Sequence, residues 1–275
     1  MIRRPPRSTQ SRSSAASDVY KRQVYAFSDR IIAISQAVAQ GNFGQPGPKV
    51  VVVYDGVDAA CFEGLDGDAT RLRERLGLEP GQPMVMTVAR LVPQKGLHIF
   101  IEAARLAELA GAGAIYCIAG DIPRPMYQSY KERLQGMIRD YGLERKVLLL
   151  GWREDTPALL RVSDIFVLAS VGPEGAGLVI PEAWLAGAPV IVPDHSGPRE
   201  IVEDGVTGLR FPNADATALS ERILMLLRDP ALRATLAAAG RQQALARHNA
   251  QRNAAQIAGL LEPLLRRRSS PEETA

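Results

Sequence analysis

Cysteine is scarce in this chain: Cys61 and Cys117 are the only two among 275 residues. Each lies in an apolar stretch, so both read as buried thiols of a reducing compartment, the cytoplasm, and not as a disulfide framework. Long apolar runs are missing as well. Nothing approaches the roughly 18 uncharged apolar residues that a membrane span requires. Histidine is rare, with His98, His195 and His248 the only three. No His/Cys/Asp group has metal-ligand spacing, and no bound metal or cofactor is expected. No G-x-G-x-x-G follows a strand-like run and no G-x-x-x-x-G-K-[ST] occurs, which argues against NAD enzymes and P-loop NTPases. Positive charge is also scarcer than the net +3 suggests, because residues 1–23 carry +5 and the remainder carries −2. A nucleic-acid-binding protein concentrates cations on a folded face, so nucleic acid is not expected as a partner.

The segment 1–23 is rich in Arg, Ser and Pro and has no hydrophobic period. Pro5-Pro6 opposes an early amphipathic helix of the transit-peptide kind. The segment closely resembles translated sequencing-adapter DNA. It is expected to be a disordered, non-native tail. Arg30–Ser35 is a short apolar run, followed by a helix to about Gln40, and 41–48 is expected to break all regular structure. From Val50 onward, apolar runs of three to six residues alternate with helical patterns. Strands are expected at 50–54, 84–89, 114–119, 147–150, 165–169, 190–192 and 208–211. The intervening helices are followed by three that close the chain, 216–227, 230–248 and 250–267. Continuously apolar strands, each followed by a helix, predict a Rossmann-like, doubly wound parallel α/β sheet. Ligands of such sheets sit at the carboxyl ends of the strands.

Three segments fall just after predicted strands. Arg90-Leu-Val-Pro-Gln-Lys95-Gly96 places two cations on a loop that enters a helix. Arg binds phosphate oxygens bidentately, Lys adds a point charge, and a helix start favours anions. Glu174-Gly-Ala-Gly-Leu-Val-Ile-Pro-Glu182 puts two carboxylates around a glycine-rich turn. A carboxylate accepts hydrogen bonds from vicinal hydroxyls, so one suits a sugar and the other a ribose. If the eight steps between them were helical, they would stand about 12 Å apart along the axis, beyond the roughly 5–9.5 Å used by glycoside hydrolases. The third segment is Asp194-His195-Ser196-Gly197-Pro198-Arg199-Glu200. His195 there reads as a solvated loop histidine, with a place beside phosphate or sugar as the alternative. His98 and His248 fall in helical patterns and read as structural.

Taken together, these elements resemble glycosyltransferase family 4, the glycosyl transferases group 1, of GT-B fold. The marks are Tyr54-Asp-Gly-Val-Asp58, the Arg90…Lys95-Gly96 loop, Gly120, Val147–Gly151, Ser163–Ser170, Glu174…Glu182-Ala183, Gly187-Ala-Pro-Val190 and Glu200-Ile-Val202 with Gly205 and Gly208. The resemblance runs from about Arg30 to Arg267. It implies the C-terminal half of a GT-B glycosyltransferase, with a tail at 1–23, a remnant of the acceptor domain and linker at 24–47, a nucleotide-sugar-binding domain at 48–249, and a crossover helix and tail at 250–275.

The activity implied is transfer of a sugar from a UDP-, GDP- or ADP-linked donor to a sugar, lipid or small-molecule acceptor, with retention of configuration and no bound metal. Arg90, Lys95 and Glu174 would be catalytic. Trp152 and Arg153 would lie beside the nucleobase, Glu182 on the ribose, and the backbone of Ala176, Gly177 and Leu178 beside the sugar and phosphate. Where the family carries Gly, Phe and Asn, this chain has Ala89, Ala176 and Asp55, and Ala176 is expected to open space near the sugar. The chain is expected to be a fragment that binds donor weakly and transfers nothing alone, with peripheral membrane contact if the acceptor is a lipid. A nucleotide-sugar 2-epimerase and a non-catalytic nucleotide-sugar-binding module are the alternative readings.

Overall fold

The computed structural model describes residues 10–44, 46–65 and 69–269, with the side chains of 10–18 and 267–269 left aside. Helix α1 spans Gln10–Phe27. The disorder expected of 1–23 therefore does not extend to residues 10–23, which follow Pro5-Pro6 and carry Ala, Gln, Arg and Lys at half of their positions. These are helix-tolerant residues. The first nine residues lie outside the described part.

Next come β1 (Ile31–Ala33), α2 (Gln36–Phe43) and β2 (Val50–Val52). Helix α2 runs three residues beyond its expected end, through Gly41 and Asn42, because Ser35 caps its start and Gly44 terminates it at φ 83°. Strand β2 is shorter than expected and pairs in parallel with β1, Ile31 opposite Val50, and not with the main sheet. A two-stranded unit around Ile31, Ala33, Ala39 and Val50 results. The expected boundary at residue 48 thus cuts between two strands that belong together.

The main domain alternates α3 (Ala69–Arg75), β3 (Met84–Val88), α4 (Leu97–Leu109), β4 (Ile115–Ala119), α5 (Gln128–Asp140), β5 (Val147–Gly151), α6 (Thr156–Arg161), β6 (Ile165–Val167), α7 (Val179–Ala186), β7 (Val190–Pro193), α8 (Ser196–Ile201) and β8 (Leu209–Phe211). Helices α9 (Ala216–Arg228), α10 (Pro230–Arg247) and α11 (Ala250–Ser269) complete it. All six strands are parallel, in the order β5-β4-β3-β6-β7-β8. Because side chains alternate along a strand, Val85, Tyr116 and Ile118 pack under α4, α5 and α9 on one face. Met84, Met86 and Cys117 face Leu160, Ile180 and Trp184 on the other. Both faces are covered, which accounts for the continuously apolar strands.

The small sheet meets the main domain where Ile34 packs beside Gly175 and through two sets of hydrogen bonds. Glu200 of α8 accepts from the backbone N–H of Gln36 (2.9 Å) and Ala37 (3.1 Å) at the start of α2, and from the Tyr54 hydroxyl. The segment 54–57 accepts from and donates to the start of α11: Val57 N–H to the His248 carbonyl (2.7 Å), Ala250 N–H to the Val57 carbonyl (3.2 Å), and Asn253 Nδ2 to the Tyr54 carbonyl (2.7 Å). Beyond Asn253, α11 is largely exposed, with Leu261 and Leu265 facing outward. No helix among the described residues is long and apolar enough to cross a membrane.

Candidate functional site

The strand order reverses direction between β3 and β6, since β4 and β5 extend one way and β7 and β8 the other. Loops leaving neighbouring strands diverge at such a point and open a crevice at their carboxyl ends. Here the crevice is a cavity of about 570 Å³, within the roughly 300–1,000 Å³ of small-molecule sites. Its wall takes Arg90 from the loop after β3, Gly120, Asp121 and Ile122 from the loop after β4, and Trp152 and Arg153 from the loop after β5. Glu182 of α7 closes the inner end, and Asp58, Cys61 and Phe62 close one side.

Arg90 is exposed and makes no hydrogen bond or ion pair among the described residues. Arg153 is engaged: its guanidinium donates to both oxygens of Asp155, at 2.8 and 2.6 Å. That contact holds the Asp155 carboxyl below the usual carboxylate range. Trp152 stands at the lip, 77% exposed, a flat aromatic face offered to solvent. Glu182 lies in the first turn of α7, and its carboxyl has no hydrogen-bond partner among the described residues; burial raises its pKa above that of an ordinary carboxyl. A half-buried carboxylate without partners is costly unless something donates to it.

Lys95 and Glu174 do not line this cavity. Their side chains form an ion pair at 2.6 Å, largely shielded from solvent, beside it at the carboxyl end of β6. The pairing follows from backbone packing. Gly96, at φ 62°, lies so close to the end of β6 that a Cβ there would stand 1.9 Å from the Ala169 carbonyl oxygen. The Gln94 carbonyl accepts from the N–H groups of Val171 and Gly172. The loop after β3 is thereby fastened to the loop after β6, and Lys95 falls onto Glu174. A second donor, the Ser170 hydroxyl, reaches the same Glu174 oxygen at 2.7 Å.

Arg90 and Glu182 share the cavity, and Lys95 and Glu174 form an adjoining pair, with all four on the same edge of the sheet. Ala176 and Gly177 are not among the residues of the cavity wall; Ala176 is buried in the core, and Gly177 lies against Ile180 and Leu168. Leu178 is 42% exposed. Cys61, expected to be buried, is exposed; Cys117 is buried. The apolar neighbours of Cys61 form a single 3-10 turn, Ala59–Phe62, in which Phe62 takes the inward position. His195 is not simply solvated: Nε2 lies 2.9 Å from the Ser170 carbonyl oxygen and Nδ1 3.0 Å from the Ser196 hydroxyl. His98 bonds Tyr130 and His248 packs against Tyr54 and Trp184, both structural roles as expected.

Asp121 and Ile122 went unnoticed in the sequence, and Ser170 was marked there only as the end of a family motif, with no role. Asp121 and Ile122 follow Gly120 directly after β4, a position that marks ligand-facing loops.

Solved structures share this arrangement. An Anabaena protein, Alr3699/HepE, crystallised with UDP-glucose, superposes with a TM-score of 0.85 at 31% identity, covering 93% of this chain and 70% of that one. A sucrose-phosphate synthase from Thermosynechococcus elongatus superposes with a TM-score of 0.80 at 26% identity, covering 94% and 64%. The architecture is that of GT-B glycosyltransferases.

Residues 68–243 match the glycosyl transferases group 1. Curated relatives include the GDP-mannose-dependent alpha-(1-6)-phosphatidylinositol monomannoside mannosyltransferase of Mycolicibacterium smegmatis, 32% identical over 225 residues, 78% of this chain and 57% of that protein. The lipopolysaccharide core biosynthesis glycosyltransferase LpsE of Rhizobium meliloti is 33% identical over 171 residues, 62% of this chain and 47% of that protein. The chain belongs to the glycosyl transferases group 1 family and spans about half the length of the curated relatives it matches.

Proposed function

We propose that this chain binds the donor for a retaining glycosyltransferase, holding a nucleoside-diphosphate sugar across the carboxyl ends of β3 and β6. The observation that carries this reading is the placement of an unpartnered cation, Arg90, and an unpartnered half-buried carboxylate, Glu182, in one ligand-sized cavity. The diphosphate lies against Arg90 and draws Lys95 toward it. The nucleoside runs inward, with ribose hydroxyls donating to Glu182 and the base near Trp152 and Arg153. The sugar lies toward Glu174, whose carboxylate accepts from its hydroxyls.

The chemistry is substitution at the anomeric carbon. The bond from that carbon to the diphosphate oxygen breaks, and the acceptor oxygen bonds on the same face. The departing diphosphate takes the proton of the acceptor hydroxyl. Arg90 and Lys95 stabilise the charge developing on that leaving group, each charge-assisted bond contributing roughly 1.5–3 kcal/mol. The acceptor is a hydroxyl-bearing sugar, lipid or small molecule.

Thermal denaturation with UDP-, GDP- and ADP-sugars tests the donor reading. A bound donor at a hundred times its Kd is expected to add about 2.7 kcal/mol of stability. Arg90→Ala is expected to weaken that donor at least about tenfold, the loss of about one charge-assisted bond. Its unliganded melting temperature should stay the same, because Arg90 is exposed and unpaired. No stabilisation by any of the three at millimolar concentration, or undiminished binding by Arg90→Ala, would reject the reading.

A further inference from the structure

The loops after β6 and β7 are joined more closely than covering a sheet edge requires. Gly197 N–H donates to the Glu174 carbonyl at 3.1 Å. Its Cα hydrogens face Gly175 so closely that a Cβ would stand 1.4 Å from the Gly175 carbonyl oxygen. Ser196, just before it, is held at φ 52°, a left-handed conformation that L-residues other than glycine rarely adopt. His195 bridges the two loops through Nε2, on the Ser170 carbonyl, while Nδ1 meets the hydroxyl of Ser196 on its own loop.

The partners fix the tautomer. A carbonyl oxygen only accepts, so Nε2 carries the proton and donates to Ser170. Nδ1 is then the acceptor and takes the Ser196 hydroxyl. The imidazole thus anchors Ser170 through its carbonyl, while the Ser170 hydroxyl donates to the Glu174 carboxylate. Ser170 is 1% exposed and has no freedom to supply that hydrogen bond from elsewhere.

We infer that His195 is a positioning residue: acting through Ser170, it aims the Glu174 carboxylate at the sugar of the donor. This inference rests on the donor reading above and goes further, assigning work to three side chains, His195, Ser196 and Ser170, that the diphosphate and nucleoside never touch. A carboxylate held by Lys95 alone would follow the lysine when the diphosphate attracts it. The Ser170 hydroxyl, fixed from behind by His195, keeps Glu174 in place as that pair loosens. Sugar recognition, and not nucleotide recognition, therefore depends on the imidazole.

The test is calorimetric titration of the full chain with UDP and UDP-glucose, and with GDP and GDP-mannose, taking the pair that the wild type binds. His195→Ala is expected to raise the Kd of the sugar nucleotide about tenfold, equivalent to 1.4 kcal/mol, while the bare diphosphate changes by less than about twofold. His195→Gln, whose side-chain amide donates toward the same carbonyl, is expected to restore sugar-nucleotide binding. Ser170→Ala, which removes the hydroxyl and leaves the backbone, should reproduce the His195→Ala split without touching the imidazole. Equal weakening of both ligands in His195→Ala and Ser170→Ala overturns the inference, because it marks the network as general scaffolding. Sugar-nucleotide binding unchanged in Ser170→Ala overturns it also. A wild type that binds neither nucleotide class rejects the donor reading, and this one falls with it.

Discussion

Glu182 carries opposing demands. Burial raises its pKa, so folding favours the protonated carboxyl. A carboxyl with a raised folded-state pKa stabilises the fold below its unfolded value and loses that contribution as pH rises through the folded one. Nucleoside binding demands the reverse, because ribose hydroxyls donate to the ionised form. Two trends should therefore run in opposite directions. Between pH 5 and 8, Glu182→Gln is expected to melt above the wild type at the alkaline end, with the gap closing toward the acid end. The same substitution should weaken nucleotide binding by about ten- to a hundredfold, the loss of hydrogen bonds to a charged group. Wild-type affinity should fall as pH drops through the raised carboxyl range, and the glutamine variant should show no such fall. Calorimetry and melting curves across that range measure both, and a flat wild-type affinity would remove the ribose from Glu182.

At the scale of elements, α2 depends on a residue 164 positions away. The Ser35 hydroxyl oxygen accepts from Val38 N–H at 3.1 Å, and Glu200 accepts from Gln36 and Ala37, so three of the free N–H groups at the start of α2 are satisfied. Glu200 also holds the Tyr54 phenol, whose pKa burial and this contact push up to about 12. Glu200→Ala removes the acceptor for all three donors and the negative charge at a helix N-terminus, a loss of about 1–3 kcal/mol. The effect should be local: hydrogen exchange at Gln36, Ala37 and the small sheet rises, while β3 and β4 keep their protection. Uniformly faster exchange across both sheets would show that Glu200 supports the whole molecule.

The same elements show what the sequence discloses. The strands of the main sheet were legible because parallel strands covered on both faces are apolar throughout, and Gly and Pro mark their ends. Arg90 and Glu182 were legible because they stand directly after a strand and at a helix start. The pairing of β2 with β1 was not, since three valines fit either sheet equally well. The exposure of Cys61 and the partnership of Lys95 with Glu174 were hidden for a related reason. The first is set by a single 3-10 turn that points Phe62 inward, the second by contacts between loops distant in sequence, and neither hydrophobic period nor charge spacing encodes them.

For the molecule as a whole, the charges around the crevice are almost entirely spent before any ligand arrives. Lys95 is matched by Glu174, Arg153 by Asp155 and Lys131 by Asp121. Arg90 alone among these cations has no partner among the described residues. Because the unpaired carboxylate of Glu182 lines the same cavity as Arg90, the mouth presents little net field from a distance. Such a field fades within about 8 Å at physiological ionic strength. On the donor reading proposed above, a nucleotide would be drawn in by encounter more than by attraction, with selectivity arising on contact as Lys95 exchanges an internal carboxylate for phosphate. Raising salt tenfold should consequently slow association little, by less than about threefold. A steep salt dependence in stopped-flow binding would reveal further unpaired cations at the mouth. A crevice of this kind tolerates a crowded, saline cell interior, and it gives little preference to polyanions that lack the right shape.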